Sequence, residues 1–172
     1  MSPTQPNFAP IAIIGIGLRL PGGISTPDAF WDQLINKKDG KCRVPSDRYN
    51  IDAFHGDKVK QQNVATEYGY FLDHVNLKSF DASFFAAKRA EVEVTDPQQR
   101  LLLEVVWECM ESAGQTGLRG TNTGVYVGVF GEDWHNMLHR DEQVYTAYRV
   151  LSAGDYALAN RLSYEFDLRG PR

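Results

Sequence analysis

Ile11-Ala-Ile-Ile-Gly-Ile-Gly17 is apolar at every position. An antiparallel strand with one wet face alternates apolar and polar residues, whereas a strand covered on both faces by helices reads as a continuous, β-branched run. The run is therefore expected to be a strand buried between helix layers in a parallel or mixed sheet. Gly124-Val-Tyr-Val-Gly-Val-Phe130 repeats the pattern, and its glycines permit close backbone approach. Helical signals precede and follow this second run. The order strand, helix, insertion, helix, strand, helix indicates an α/β class, and no internal repeat or low-complexity tract is visible.

Working outward, residues 1–10 carry three prolines and no periodicity, which reads as a flexible leader. After the first run, Thr26 supplies a helix cap, Pro27 a tolerated first-turn proline and Asp28 an acid near the positive helix end. A short helix should therefore hold Phe30-Trp-Asp-Gln-Leu-Ile35. From about Asn36 to Val94 the helical period is lost, and Gly, Pro, Asp and Lys punctuate brief aromatic groups. A loop of that length needs anchors in a compact domain, and Phe80, Phe84 and Phe85 are the expected ones.

Asp96-Pro-Gln-Gln99 is the strongest helix start in the chain: Asp96 can cap, Pro97 occupies the first helical position, and Gln99 stands where a capping box has its reciprocal partner. Gly114 supplies the stop. Between them Leu102, Leu103, Val106, Cys109, Met110 and Ala113 form one apolar face. Arg100, Glu104, Glu108 and Glu111 are expected on the wet face. A last helix should open at Ser152-Ala-Gly-Asp155, whose Ser and Asp have capping-box spacing. Its small residues Ala157, Ala159 and Ser163 can pack tightly, and Phe166-Asp-Leu-Arg-Gly-Pro171 closes it.

The chain has 172 residues, 42% hydrophobic and 23% charged, a balance typical of one folded domain. A chain of this size buries roughly 70% of its unfolded surface, so disulfides are not required. Cys42 and Cys109 lie far apart with no metal or redox spacing, and no Asn-x-Ser/Thr sequon occurs, which favours a reducing, cytoplasmic setting. Ile11 to Leu18 is too short to span a bilayer and lacks a signal-peptide flank, so no membrane role is expected. The net charge is −4. The cluster Lys37, Lys38, Lys41, Arg43 and Arg48 is interleaved with Asp39 and Asp47, leaving no phosphate-binding stripe and no expected nucleic-acid partner.

Motifs for chemistry fall short one by one. Gly15-Ile-Gly17 follows a strand, but the dinucleotide fingerprint requires its third glycine at position 20, which is Leu20. His135 and His139 have the i, i+4 spacing of a metal-binding helix with Asp133 nearby. Position 136, however, is Asn where a zinc protease places Glu, and paired surface histidines are the simpler reading. His55 and His74 have no partner at diagnostic spacing. Cys109 sits mid-helix on the apolar face, whereas a nucleophilic thiol needs a helix N-terminus or a neighbouring base. Cys42 lies between Lys41 and Arg43 and reads as an inert surface cysteine. No Gly-x-Ser-x-Gly elbow exists. The residues alone thus give an α/β chain with a strand-end site edge near Phe130 and no assembled catalytic group.

Five segments taken together go further. Ile11-Ala-Ile-Ile-Gly-Ile-Gly-Leu-Arg-Leu-Pro-Gly-Gly23, Phe80-Asp-Ala-Ser-Phe-Phe85, Asp96-Pro-Gln-Gln-Arg-Leu-Leu-Leu-Glu104, Gly124-Val-Tyr-Val-Gly128, and Ala159-Asn-Arg-Leu-Ser-Tyr164 through Gly170-Pro171 resemble the β-ketoacyl synthase domain of polyketide synthases. Ala90-Glu-Val-Glu93, Trp107-Glu-Cys-Met-Glu-Ser-Ala-Gly114 and Gly128-Val-Phe-Gly-Glu-Asp-Trp134 look most like the fungal, iterative, highly reducing type. The resemblance implies a thiolase-like fold, of which residues 11–172 are the first part only. It also implies decarboxylative Claisen condensation of malonyl units onto an acyl chain delivered by the phosphopantetheine arm of an acyl carrier protein.

In that family the nucleophilic cysteine follows the Gly-Pro that matches Gly170-Pro171, and two histidines lie further along. No catalytic residue is therefore carried over: Cys42, Cys109 and the four histidines are not matches. The resemblance reads residues 11–172 as truncated before the nucleophile and predicted to be inactive alone. No metal or cofactor is assigned to the chain. Its expected partners are the remaining ketosynthase portion, the acyl carrier protein and, when the domain is complete, a second ketosynthase in a homodimer. Val129, Phe130 and Gly131 could line the acyl pocket, with a plain strand end as the alternative. Thr95 departs from the usual Met before Asp-Pro-Gln-Gln, and Arg172 from the usual Ser after Gly-Pro. The function implied is the front part of a polyketide-elongating acyltransferase; the alternative is a non-catalytic interaction fragment.

Overall fold

The computed structural model describes residues 9–56, 63–115, 117–140, 148, 151 and 154–172; the leader assigned to residues 1–10 lies mostly outside them. The first helix, α1 (Pro27–Ile35), starts as its cap signal requires: the Thr26 side chain accepts a hydrogen bond from the Ala29 amide at 3.2 Å. The long segment after it contains a two-residue antiparallel pairing of β1 (Cys42–Arg43) with β2 (Tyr68–Gly69) and a short 3-10 turn at Ile51–Ala53. A single turn of helix, α2 (Arg89–Val92), leads into the central helix α3 (Pro97–Ser112). Farther on come α4 (Asp133–His139) and α5 (Asp155–Glu165).

α3 carries the core. Asp96 caps it by accepting from the Gln98 amide at 2.7 Å, and Gly114 ends it in the left-handed region at φ +64°, where a side chain would be strained. Its buried face meets α5 and the insertion in one core of Phe85, Leu103, Leu162, Phe166 and Leu168. The three phenylalanines of the insertion do anchor it. Phe80 stacks on Phe85 at 5.2 Å between ring centroids, and Phe84 packs edge-on against Phe85 and Trp107. Aromatic pairs at these separations add about 0.5–1.5 kcal/mol each beyond area burial.

Three expectations for the helices are corrected. Arg100, assigned to the wet face, is buried, because α2 and the insertion cover that side of the first turn. Gln99 does not close a capping box; it is buried and its side-chain amide donates to the Leu151 carbonyl at 3.3 Å. α5 begins at Asp155 with Gly154 as its cap residue and no side-chain cap, while Ser152 lies outside the described residues.

The larger correction concerns the two apolar runs. Neither is a regular strand, and among the described residues no backbone hydrogen bond joins residues 11–17 to a neighbour. Ile11 is 96% and Ile13 84% exposed, the opposite of burial between helix layers. The run is nonetheless held in place on one side. A Cβ on Gly15 would lie 2.5 Å from the Cys109 carbonyl oxygen, and one on Gly17 would lie 2.4 Å from that of Val105, so only glycine lets the backbone press this closely onto α3. Arg19 then clamps the far end of the run with a two-pronged ion pair to Glu108, one bond at 2.7 Å.

The second run alternates. Val125 and Val127 pack on the core, while Tyr126 and Phe130 face outward at 83% and 98% exposure. Its start runs alongside the segment before Gly170-Pro171 in the same direction. The amides of Arg169 and Gly170 donate to Thr121 and Thr123, and the Val125 amide donates to Pro171, at 2.8–3.1 Å. This is the beginning of a parallel pairing. Gly170 is required there, since a Cβ would sit 2.4 Å from the Thr123 carbonyl carbon.

Candidate functional site

The turn at Val129, Phe130 and Gly131 sits where the second run leaves the core. Gly131 adopts φ +101°, which reverses the chain into α4 two residues later and leaves the Phe130 ring projecting free of the surface. α4 is fixed below it by Trp134, whose indole nitrogen donates to the carbonyl of Val94, two residues before the α3 cap, at 2.9 Å. An apolar ring on a glycine-hinged turn, braced by a helix fastened to the central scaffold, can form one wall of an apolar cleft. The turn lines neither of the two cavities described next.

A cavity of about 1110 Å³ lies on a different side, between the end of the insertion, α5 and the closing segment. Its lining is charged. Arg161 reaches Glu91 across to α2 and Glu165 within α5, and Thr95 donates its hydroxyl to the Glu91 carbonyl at 2.8 Å. Glu165 is nevertheless held above the usual carboxylate range, because burial outweighs the attraction of Arg161 and Arg119. This is a paired, structural set of charges with no activated nucleophile. The bond from Thr95 also explains why a hydroxyl is tolerated at this buried position, since a buried polar group costs little once it is partnered.

A second set lies at the start of α3. The Asp96 carboxyl is raised above its ordinary value mainly by burial, aided by the charge of Asp133, while its bonds to Gln98 and the nearby Arg100 pull the other way. The Arg100 guanidinium is lowered, first by burial, and its Nε has no hydrogen-bond partner. It lines a cavity of about 80 Å³ with Arg19, Asn76 and Glu104, large enough for solvent. No local pattern marks this burial, which depends on residues far away in the chain.

The remaining candidates are dispersed. Cys42 is half-buried in β1, and its two cationic neighbours are engaged elsewhere: Arg43 with Glu67 at 3.0 Å and with Asp52, and Lys41 over the Tyr68 ring at 5.5 Å. Cys109 lies against Gly17. His74 meets Asp73 at 3.3 Å. His135 and His139 do come together on α4, with their Nε2 atoms 2.8 Å apart. Among the described residues no group of three or more metal-ligating side chains occurs, and no helix is long and apolar enough to cross a membrane. The basic cluster is tied up in ion pairs, Lys38 with Asp32 and Arg48 with Asp47, both at 2.6 Å.

A glycine-pressed apolar run on a capped central helix, followed by a second run aligned with the segment before a Gly-Pro, is the opening portion of a thiolase-like α/β fold. The solved structures agree. The oxazolomycin ketosynthase domain OzmH KS7 of Streptomyces albus superimposes with a TM-score of 0.69 at 29% identity, over 92% of this chain and 28% of that one. A ketosynthase from module 6 of the bacillaene synthase of Bacillus subtilis gives 0.72 at 28% identity, over 93% and 25%. The chain belongs to the β-ketoacyl synthase family, matching the model of the N-terminal domain over residues 9–172. Among curated relatives, the highly reducing polyketide synthase g433 of Fusarium sp is 57% identical over 94% of this chain, and sphB of Aspergillus fumigatus 54% over 94%. The chain spans 6% of the length of each of these synthases.

Proposed function

We propose that these residues are the front portion of the ketosynthase of a fungal highly reducing polyketide synthase, the part that precedes the nucleophile. The chain supplies scaffold and one pocket wall to a decarboxylative condensation. The single observation that carries the reading is the match over residues 9–172 to a family with this domain, in a chain whose own thiols lack an activating group. In the complete reaction a cysteine thiolate supplied by the remaining ketosynthase portion attacks the acyl thioester on the carrier's phosphopantetheine, forming its own thioester and releasing the carrier thiolate. The malonyl carbon–carboxylate bond then breaks to release CO2, the resulting carbanion attacks the thioester carbonyl, and the cysteine leaves as thiolate.

Both acyl groups arrive on the phosphopantetheine of an acyl carrier protein, and this chain binds no cofactor of its own. Val129, Phe130 and Gly131 form the wall nearest the growing chain, with Phe130 as the contacting side chain. The working domain is a cytoplasmic homodimer with no membrane or nucleic-acid partner. The alternative, a non-catalytic interaction fragment, is not favoured: synthases of one type match at 54–57% identity across nearly the whole chain.

The test is acylation. Residues 1–172 alone should form no thioester with a reactive acyl donor, whereas a chimera completed with the rest of a highly reducing relative's ketosynthase should acylate and condense malonyl. Cys42→Ala and Cys109→Ala should leave the chimera active. A stoichiometric thioester on Cys42 or Cys109 of the chain alone, chased into a condensed product, sinks the proposal.

A further inference from the structure

The histidine pair on α4 plays no part in the ketosynthase reading, and its geometry can be judged on its own. The two Nε2 atoms face each other at 2.8 Å, with ring centroids 4.1 Å apart and planes inclined by 59°. Both residues are exposed on the helix surface, one turn apart. Two nitrogens each about 2.0 Å from one metal ion lie about 2.8 Å apart when they bind at right angles, and about 3.3 Å apart in a tetrahedron. The observed separation fits neighbouring corners of a square plane. The Asn at position 136, which rules out the chemistry of a zinc protease, has no bearing on coordination.

We propose that His135 and His139 form a two-imidazole chelating site for a divalent transition-metal ion, Cu2+ in preference to Zn2+, with water in the remaining positions. With each ring carrying its hydrogen on Nδ1, both Nε2 lone pairs reach the metal. His139 lies in the last turn, where the helix dipole favours a cation; Glu132 and Asp133 stand at the opposite end, and Arg140 follows His139. The stability order of divalent ions at nitrogen sites places Cu2+ first. Trp134 holds the helix against Val94, so the pair is presented on an anchored turn.

The probe is Cu2+ titrated into the chain, followed by calorimetry and by the nitrogen hyperfine pattern of its electron paramagnetic resonance spectrum. One ion per chain bound by two nitrogens is expected, with Zn2+ weaker. His135→Gln and His139→Gln should each weaken Cu2+ binding at least tenfold and leave one nitrogen. His55→Gln and His74→Gln should leave affinity and spectrum unchanged. The proposal is overturned if either α4 variant binds as tightly as the parent chain, if the parent shows a single nitrogen, or if the loss tracks His55 or His74.

Discussion

Leu103 in α3 and Ile13 in the first apolar run are both aliphatic residues in strongly patterned segments, yet one is 2% and the other 84% exposed. The helix satisfies its own backbone and needs only a partner for one stripe, which α5 and the phenylalanines supply. A strand of the parallel type satisfies nothing alone. It needs hydrogen-bonding neighbours along its edges and a cover on each face. The chain spans about a quarter of the solved ketosynthases it resembles, and the described residues cover the run only where Gly15 and Gly17 touch α3. The comparison teaches that the two apolar runs are interfaces to the rest of the fold, while the α3–α5 core is this chain's own.

The largest effect that can test this contrast is truncation on each side of it. Leu103→Ala should cost about 2–5 kcal/mol, the range for a well-packed core leucine, whereas Ile13→Ala in the same chain should stay within about 0.5 kcal/mol, as exposed sites do. Urea unfolding followed by tryptophan fluorescence measures both. In the completed ketosynthase the Ile13 variant should become the costly one. A large loss for Ile13→Ala in this chain would mean that the run already has a cover.

Next in size is the contact between the two regions. Gly17→Val places a Cβ against the Val105 carbonyl and forces the run away from α3, for an expected cost of about 1–3 kcal/mol. Glu108→Gln, which weakens the Arg19 clamp while leaving the packing, should cost about 1 kcal/mol or less because Glu108 is 41% exposed. If the order is reversed, charge rather than close packing holds the first run. The same unfolding curves decide it.

Much of this was legible in the sequence wherever the signal is local. Thr26, Asp96 and Gly114 mark helix ends through bonds to residues a few positions away, and they act there as the pattern requires. Phe80, Phe84 and Phe85 were readable as anchors because a long insertion must be tied down. What escaped depends on distant partners: Gln99 turns to the Leu151 carbonyl, and Glu108 pairs with a residue 89 positions earlier. The sequence also shows the two runs to be apolar on both faces without showing which neighbours cover them. The end of the second run at Phe130 was visible in the sequence, and the structure adds the left-handed turn at Gly131 that follows it.

A smaller effect tests the buried polar end of α3 by pH. Burial holds the Asp96 carboxyl above its ordinary value of 3.8. An acid whose folded-state pKa exceeds its unfolded value binds more protons when folded, so stability falls as pH rises from the unfolded value through the folded one. Asp96→Asn keeps an effective cap, since Asn accepts the Gln98 amide about as well, and removes the charge. The variant should lose that decline between acid and neutral pH, read from urea midpoints at a series of pH values. Glu165, also raised by burial, contributes a decline of the same sign that the variant leaves in place. An unchanged slope would mean that Asp96 is better solvated than its 8% exposure indicates.

The smallest effect on stability should come from the residue proposed to matter most for function. Phe130 is 98% exposed, so Phe130→Ala removes almost no buried surface from this chain and should change its unfolding by less than about 0.5 kcal/mol. A large aromatic ring held free of its own core on a glycine turn is there to meet something else. On the proposed reading that partner, in a completed ketosynthase, is the acyl chain or the wall facing it, so the substitution should change the length of acyl group accepted while leaving the shortest donors near parental rates. Competition between short and long acyl donors, read by mass spectrometry of the acylated domain, measures the shift. If Phe130→Ala leaves the selectivity untouched, the turn is a plain strand end. If it destabilises the isolated chain by several kcal/mol, the ring belongs to the core, and the division between the chain's own packing and its interfaces must be redrawn at that point.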